Sequence, residues 1–179
     1  MERIAIYPGT FDPFTNGHLD ILLRSKRLFD RVIIAVTTNP KKTPLFTTQE
    51  RTEMIEGALI GLNGSLENIT VESFEGLLVD YAESKGSLVI IRGLRAVSDF
   101  EYELQMALLN RKLNPHIDTI FKMPSEEYTF LTSTAIKEIA LLGGSVRGLV
   151  PPIVEKALAE KAKSVKTKNI TADLKATLK

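Results

Sequence analysis

Short runs of apolar and β-branched residues recur along the chain, separated by longer stretches with helical spacing. The runs are Ile4–Tyr7, Val32–Thr37, Ile69–Ser73, Leu88–Ile91 and Thr119–Met123. This alternation predicts strands that are connected by helices, and therefore a parallel sheet. The runs that begin at Val32 and Leu88 are apolar at consecutive positions, which is typical of central strands covered on both faces.

The stretches between these runs contain signals for helix ends. Three helices have marked starts, either leucines at helical spacing or a capping box: Leu19–Leu23, Thr47 with Glu50, and Ser98 with Glu101. A further helix is predicted from near Ser133 to just before Gly143-Gly144, and Pro151-Pro152 fits the first turn of a last helix.

These elements predict an α/β fold, a single-domain Rossmann-like doubly wound sheet of about five parallel strands with helices on both faces. We expect the domain to span residues 1–160, because no repeat or linker divides them. Residues 161–179 form a lysine-rich C-terminal tail with six lysines and one acidic residue, Asp173. We interpret the tail as a solvated, fraying terminus; a contact for an acidic partner is the alternative.

Composition narrows the classes of function. The 179 residues include 23 Lys and Arg against 22 Asp and Glu, so the formal net charge of +1 gives no overall attraction to nucleic acid or anionic lipid. No cysteine is present, which excludes disulfides and thiolate chemistry. Neither a membrane-length apolar run nor an export signal after Met1 is found, so we expect a cytoplasmic protein with no membrane or nucleic-acid partner.

A loop rich in proline and glycine, Tyr7–His18, follows the first predicted strand and leads into a helix. In an open α/β sheet, ligands bind outside the carboxyl ends of the strands, where helix N-termini attract anions. His18 would lie in the first helical turn and face such an anion, and Gly17 would leave room beside it. A histidine in this place could also be an ordinary capping or surface residue.

Two later segments are predicted to reach the same edge of the sheet. In the first, Arg92 and Arg95 flank Gly93 after a strand and could clamp phosphate oxygens, or could be exposed arginines paired with Asp99 and Glu101. In the second, hydroxyls crowd a helix start over residues 129–134, where they could bind phosphates or merely cap the helix.

Thr15-Asn16-Gly17-His18 resembles the His/Thr-x-Gly-His motif of the nucleotidyltransferase superfamily. The whole of Tyr7–His18, and Arg92–Glu103 nearly residue for residue, resemble the bacterial phosphopantetheine adenylyltransferase family. The likeness runs from Arg3 to about Lys161. It implies that a nucleotidyltransferase domain transfers the adenylyl group of ATP to 4′-phosphopantetheine, giving dephospho-coenzyme A and pyrophosphate. Another small-molecule nucleotidylyltransferase and a non-catalytic nucleotide-binding protein are the alternatives.

The resemblance also implies roles for individual residues. It gives catalytic roles to His18, Lys42 and Arg95. ATP contacts are implied for Thr10, Phe11, Gly17, His18, Gly93, Leu94, Arg95, Glu103, Tyr128, Thr129, Phe130, Leu131, Thr132, Ser133 and Thr134. Phosphopantetheine contacts are implied for Thr10, Lys42, Leu77, Leu78 and Arg92. From the sequence alone, Lys42 could equally be a surface lysine, Leu77 and Leu78 could be helix core residues, and Lys137, where some relatives have arginine, could be solvated.

The implied chemistry fits what the chain lacks. A phosphate monoester, with a second pKa of about 6, is largely ionised at neutral pH and needs no general base. His18 is therefore expected to stabilise the transition state. Mg²⁺ is expected as a cofactor carried mainly by the ATP phosphates, without a protein metal site. The resemblance further implies a homohexamer.

Overall fold

A five-stranded parallel sheet forms the centre of the molecule. The structure, a computed structural model, describes residues 2–37, 43–62, 66–95 and 97–177. The strands are β1 (Ile4–Gly9), β2 (Arg31–Val36), β3 (Ile69–Ser73), β4 (Val89–Gly93) and β5 (Asp118–Lys122). Their spatial order is β3-β2-β1-β4-β5, and every neighbouring pair is parallel. The predicted sheet is confirmed.

Within the described residues, six α-helices surround the sheet. They are α1 (Asn16–Ser25), α2 (Thr48–Ile60), α3 (Leu78–Ser84), α4 (Val97–Leu113), α5 (Ser133–Leu142) and α6 (Pro152–Thr177), with a 3-10 turn at Glu126–Tyr128. The predicted capping box of α2 is present, with Thr47 and Glu50 each bonding the other's backbone. Gly143 ends α5 in the left-handed region at φ 91°, as a C-terminal glycine does.

Some predicted boundaries were wrong. Strand β1 continues through Gly9, so the loop before α1 is shorter than expected. Leu88 is exposed and precedes β4, since only the residues after it enter the ladder. Ser98 lies inside α4, which begins at Val97, and a residue inside a helix is not its N-cap. The short helix α3 and the 3-10 turn had no predicted start.

The core has two parts, one on each face of the sheet, because successive strand side chains point to opposite faces. On one face, alternate residues of β1 and β2 pack against α1, α2, α5 and α6. On the other face, Ile6, Ile33 and Ile90 pack with Val79 and Ala82 of α3. All residues from Val32 to Val36 are 0% exposed, which confirms β2 as a central strand.

The chain order creates a switch point at the middle of the sheet. Strands β2 and β3 lie on one side of β1, and β4 and β5 lie on the other. The connections after β1 and β4 therefore leave in opposite directions and open a crevice at their carboxyl ends.

At the other end of the chain, α6 continues through the predicted boundary at residue 160, and Lys161 bonds Glu50 of α2 at 2.7 Å. Among the described residues, every helix is too short or too polar to cross a bilayer.

Candidate active site

A cavity of about 580 Å³ opens at this switch point. The end of β1 and the loop after it form its floor, the end of β4 and the start of α4 form one wall, and the start of α5 forms another. Most of the predicted site residues line it: Thr10, Phe11, Gly17, His18, Arg92, Gly93, Arg95, Glu103, Leu131, Thr132, Ser133 and Thr134. Segments more than a hundred residues apart in the sequence therefore meet around one space.

His18 is held in one orientation by the start of α1. Thr15 caps this helix: its hydroxyl accepts the His18 N–H at 3.4 Å, and its own N–H donates to His18 Nδ1 at 3.0 Å. Because Nδ1 accepts a hydrogen bond, the neutral ring carries its proton on Nε2. Nδ1 thus confirms the capping interpretation, and Nε2–H is left as a donor for the functional role, which stays a prediction.

Aromatic rings fix the plane of this imidazole. Phe14 stacks on His18 with ring centroids 5.6 Å apart, and Phe11 meets it edge-on at 5.2 Å. Phe11 is buried with φ 47°, a left-handed conformation that is unusual and strained for a bulky residue. Strain of this kind persists where packing over-determines it, often at functional sites. A Cβ on Gly9 would stand 2.7 Å from the Phe11 ring, so this glycine is needed for the packing.

Burial and charge keep the His18 imidazole neutral. Desolvation, followed by the positive charges of Arg95 and Arg92, lowers the pKa of His18 to about 3. A neutral ring with a fixed Nε2–H donates a hydrogen bond at any pH near neutrality, but has no proton to give away as an acid. This suits a group that stabilises charge on an oxygen.

Arg92 is oriented by Glu103 across the cavity wall. The Nε and Nη2 groups of Arg92 donate to the two carboxylate oxygens at 2.7 and 2.6 Å, and Nη1 donates to Pro8 O at 3.0 Å. Three of the five guanidinium N–H groups are thereby used, which leaves two for a ligand. Glu103, predicted from the resemblance to contact ATP, has both oxygens on Arg92; its ATP contact stays a prediction.

Arg95 links the start of α4 to the start of α5. Its Nε donates to Asp99 at 3.0 Å, and its Nη1 donates to Leu131 O at 2.9 Å. The predicted alternative of paired arginines was therefore right about the Asp99 pair, while Glu103 rather than Glu101 pairs with Arg92. Both arginines nevertheless line the cavity, because pairing holds them at its rim.

The N-terminus of α5 presents hydroxyls to the cavity. The Thr132 hydroxyl accepts the Ala135 N–H at 3.0 Å and is the N-cap, as the simpler interpretation had it. Ser133 donates to Pro13 O at 2.8 Å and so ties α5 to the loop after β1. Unpaired N–H groups at a helix N-terminus favour anions.

A partly buried ion pair on the cavity wall was not predicted. Lys137 of α5 donates to Asp12 at 2.6 Å, and the Asp12 carboxylate also accepts the N–H groups of Leu45 and Phe46 at 3.0 Å each. Lys137 is therefore not a solvated helix residue. Asp12 and Lys137 lie 125 positions apart, so no local signal in the sequence could pair them.

Several predicted site residues lie outside the described lining. The Leu94 N–H donates to Lys122 O of β5. Residues 128–130 are not part of the lining. Tyr128 packs near Gly17, where we expected open space. Leu77 precedes the first residue of α3 and is exposed, so it is not a core residue. Leu78 packs against the part of the core that lies between the sheet and α3. Lys42 lies outside the described residues.

The acidic groups of the cavity do not form a metal site. Asp12, Asp99 and Glu103 each bond a cationic side chain, and no group of three potential ligands is found among the described residues. A metal bound by these three carboxylates would have to displace those cations, so the described residues of the cavity do not fit a resident ion.

The sequence and fold were compared with known proteins. A family model described as cytidylyltransferase-like matches residues 6–139. The phosphopantetheine adenylyltransferase of Carboxydothermus hydrogenoformans is 55% identical over 159 residues, covering 89% of this chain and 96% of that protein. That of Thermodesulfovibrio yellowstonii is 54% identical, covering 91% and 99%.

Solved structures share the fold. Nicotinic acid mononucleotide adenylyltransferase of Plasmodium falciparum, complexed with NaAD, has a TM-score of 0.66 at 13% identity and covers 89% of this chain and 96% of its own. A bifunctional NMN adenylyltransferase/ADP ribose pyrophosphatase of Francisella tularensis has a TM-score of 0.65 at 18% identity, covering 99% and 56%. With a family model over most of the chain and relatives above 50% identity along nearly its whole length, the chain belongs to the phosphopantetheine adenylyltransferase family of cytidylyltransferase-like proteins.

Proposed function

We propose that this protein transfers the adenylyl group of ATP to 4′-phosphopantetheine, giving dephospho-coenzyme A and pyrophosphate in coenzyme A synthesis. The names and coverage of its relatives support this reaction. The observation that carries the proposal is the neutral His18, whose Nε2–H is held at a cavity that also contains two arginines and a helix N-terminus. Hydrogen-bond donors and positive charge at one cavity suit phosphoryl oxygens.

The reaction needs alignment more than acid or base chemistry. An oxygen of the phosphopantetheine phosphate attacks the α-phosphorus of ATP, and the bond from that phosphorus to the bridging oxygen of the β-phosphate breaks. The electron pair of this bond leaves with pyrophosphate. Because the nucleophile is ionised at neutral pH, with a second pKa of about 6, no proton has to be removed. The scheme asks nothing of the Thr15 hydroxyl, which lies 3.0 Å from His18 Nδ1 and caps α1.

His18, Arg95 and the start of α5 would divide the phosphate contacts. The Nε2–H of His18 donates to an α-phosphoryl oxygen as charge grows there, a donor that typically contributes about 10²–10³ in turnover. Arg95, bonded to Leu131 O, brings positive charge to the N-terminus of α5, where the β- and γ-phosphates would bind. Arg92, oriented by Glu103, would take the phosphate of phosphopantetheine.

Mg²⁺ belongs to the substrate in this proposal. ATP carries the ion on its phosphates, and the paired carboxylates of the cavity leave coordination to phosphate and water.

We also propose a cytoplasmic homohexamer. Apolar side chains exposed on α4, on β5 and directly after β5 support self-association: Leu104, Leu108, Leu113, Ile120 and Met123. Sedimentation at micromolar concentration measures the assembly directly.

The test is pyrophosphate release from Mg-ATP with and without 4′-phosphopantetheine. We expect release that depends on the pantetheine substrate, with dephospho-coenzyme A formed in equal amount. Nicotinate mononucleotide, offered as a rival acceptor, is expected to give none, and the H18A variant controls for contaminating enzymes. Release with nicotinate mononucleotide alone would favour the other nucleotidylyltransferase interpretation. ATP binding with no release under any condition would favour the non-catalytic one.

A further inference from the structure

Arg51 of α2 is the largest side chain that is fully buried, at 0% exposure. Arginine is almost never fully buried unless it is paired. Within the described residues, however, Arg51 forms no ion pair with an aspartate or glutamate. Its guanidinium hydrogen-bonds instead to backbone carbonyls and one hydroxyl, and the Asp12 carboxylate acts on it only through its charge. A buried charge with this environment is expensive, which indicates that it has a specific task.

The carbonyls that Arg51 binds come from three separate segments. Its Nη1 donates to Thr10 O in the loop after β1 and to Thr37 O, at 2.7 Å, after β2. Its Nε donates to Phe46 O at 3.2 Å and Thr47 O at 3.3 Å, just before α2. The planar fork therefore fixes these segments relative to one another.

The same junction is held from its other side by Asp12. The Asp12 carboxylate accepts the N–H groups of Leu45 and Phe46. The Arg51 guanidinium donates to the next carbonyls along the chain, those of Phe46 and Thr47. Thr10, Asp12 and Pro44 all line the cavity, whereas Arg51 is not among its described lining residues. The guanidinium thus lies behind the floor of the active site.

We propose that Arg51 is a positioning residue for adenylyl transfer: its fork sets the place of Thr10 and of the segment before α2 relative to His18, without touching the substrates. This inference rests on the proposed function. Lysine cannot replace the fork, because an ammonium has three donors with no fixed planar arrangement. A small misplacement of reacting groups is enough to lower turnover about a hundredfold.

The experiment compares R51K with wild type by steady-state kinetics for both substrates, on protein shown to be folded by circular dichroism at the assay temperature. We expect kcat to fall by roughly tenfold to a hundredfold while both KM values stay within about threefold, since positioning affects the reacting geometry more than binding. The matched control is R3K, because Arg3 is an exposed arginine remote from the cavity. It is expected to keep the wild-type kcat.

A second variant keeps the test decisive if R51K does not fold. Arg51 Nη2 donates to the Thr48 hydroxyl at 2.9 Å, so T48V removes one anchor of the fork and leaves the side-chain shape. We expect kcat to fall about threefold to fivefold in T48V, and to fall no further when T48V is added to R51K. A kcat within about twofold of wild type in folded R51K, or in T48V where R51K is unfolded, would overturn the proposal. An inactive wild-type chain would instead refute the proposed function, and this inference with it.

Discussion

The neutral state of His18 makes a quantitative prediction about stability in acid. The pKa of His18 is lowered to about 3 in the folded protein, chiefly by burial, against about 6.5 in an unfolded chain. As the pH falls below 6.5, the unfolded state binds a proton that the folded state refuses. The contribution of His18 to stability is thus intact above pH 6.5 and is lost progressively toward pH 3.

The size of this loss follows from the two pKa values. Each pH unit between them costs about 1.4 kcal/mol, so about 2 kcal/mol disappears between pH 7 and pH 5. Urea unfolding at both pH values and one fixed protein concentration measures it. We expect wild type to lose about 2 kcal/mol more than H18Q, which has no group that titrates here. The control is H116Q, which removes the exposed second histidine and is expected to follow wild type.

An equal loss of stability in wild type and H18Q would refute this account of His18. It would mean that the imidazole takes up a proton in the folded state, and His18 could then act as an acid during the reaction. The tautomer deduced from the Thr15 hydrogen bond would also lose its significance, because a doubly protonated ring has no acceptor nitrogen.

Three further predictions concern the charged groups and the nucleophile. First, kcat/KM for phosphopantetheine should decline below a pH of about 6, where the attacking phosphate gains a proton. If H18Q shifted the pH of this decline, the decline would not come from protonation of the substrate. Second, R92A should raise the KM for phosphopantetheine more than the KM for ATP, and E103Q should raise the KM for phosphopantetheine about fivefold by releasing Arg92. The control E101Q, on the exposed part of α4, should leave the KM for phosphopantetheine unchanged. A rise in the KM for ATP alone in R92A would reverse our division of the arginines. Third, D12N should lower the free energy of unfolding by about 2–4 kcal/mol, which is more than K137M should, because Asp12 also accepts two backbone N–H groups. Equal losses for the two variants in urea unfolding would mean that Asp12 acts only as the partner of Lys137.

Local physics explains why much of the fold could be predicted from the sequence. The consecutive apolar residues of β2 need cover on two faces, and only a central parallel strand provides it. The Thr47 capping box and the Gly143 terminus use residues within one helical turn of each other. The start of helix α3 was not predicted, because this helix has only seven residues and no side-chain cap to mark its first turn.

The site could be predicted only as far as its motifs reach. The sequence placed His18, the arginines and the start of α5 at one edge, because parallel strands align their carboxyl ends. It could not show that Glu103 occupies the fork of Arg92, since side-chain orientation on α4 decides that. Nor could it reveal Arg51, whose partners apart from the Thr48 hydroxyl are backbone carbonyls, which leave no trace in residue identity.

Under the proposed function, the charge pairs of the cavity explain how a site for two highly anionic substrates can exist in the folded protein before they bind. Arg92, Arg95 and Lys137 would repel one another if each stood alone at the rim. Instead each is bonded to its own carboxylate, Glu103, Asp99 or Asp12, and so has a fixed direction. Because an arginine keeps N–H groups after such pairing, incoming phosphates can bind without displacing the partner. The free energy needed to order these cations is thus supplied during folding and not during catalysis. Donors that are already aligned stabilise the transition state more effectively than donors that must first reorganise.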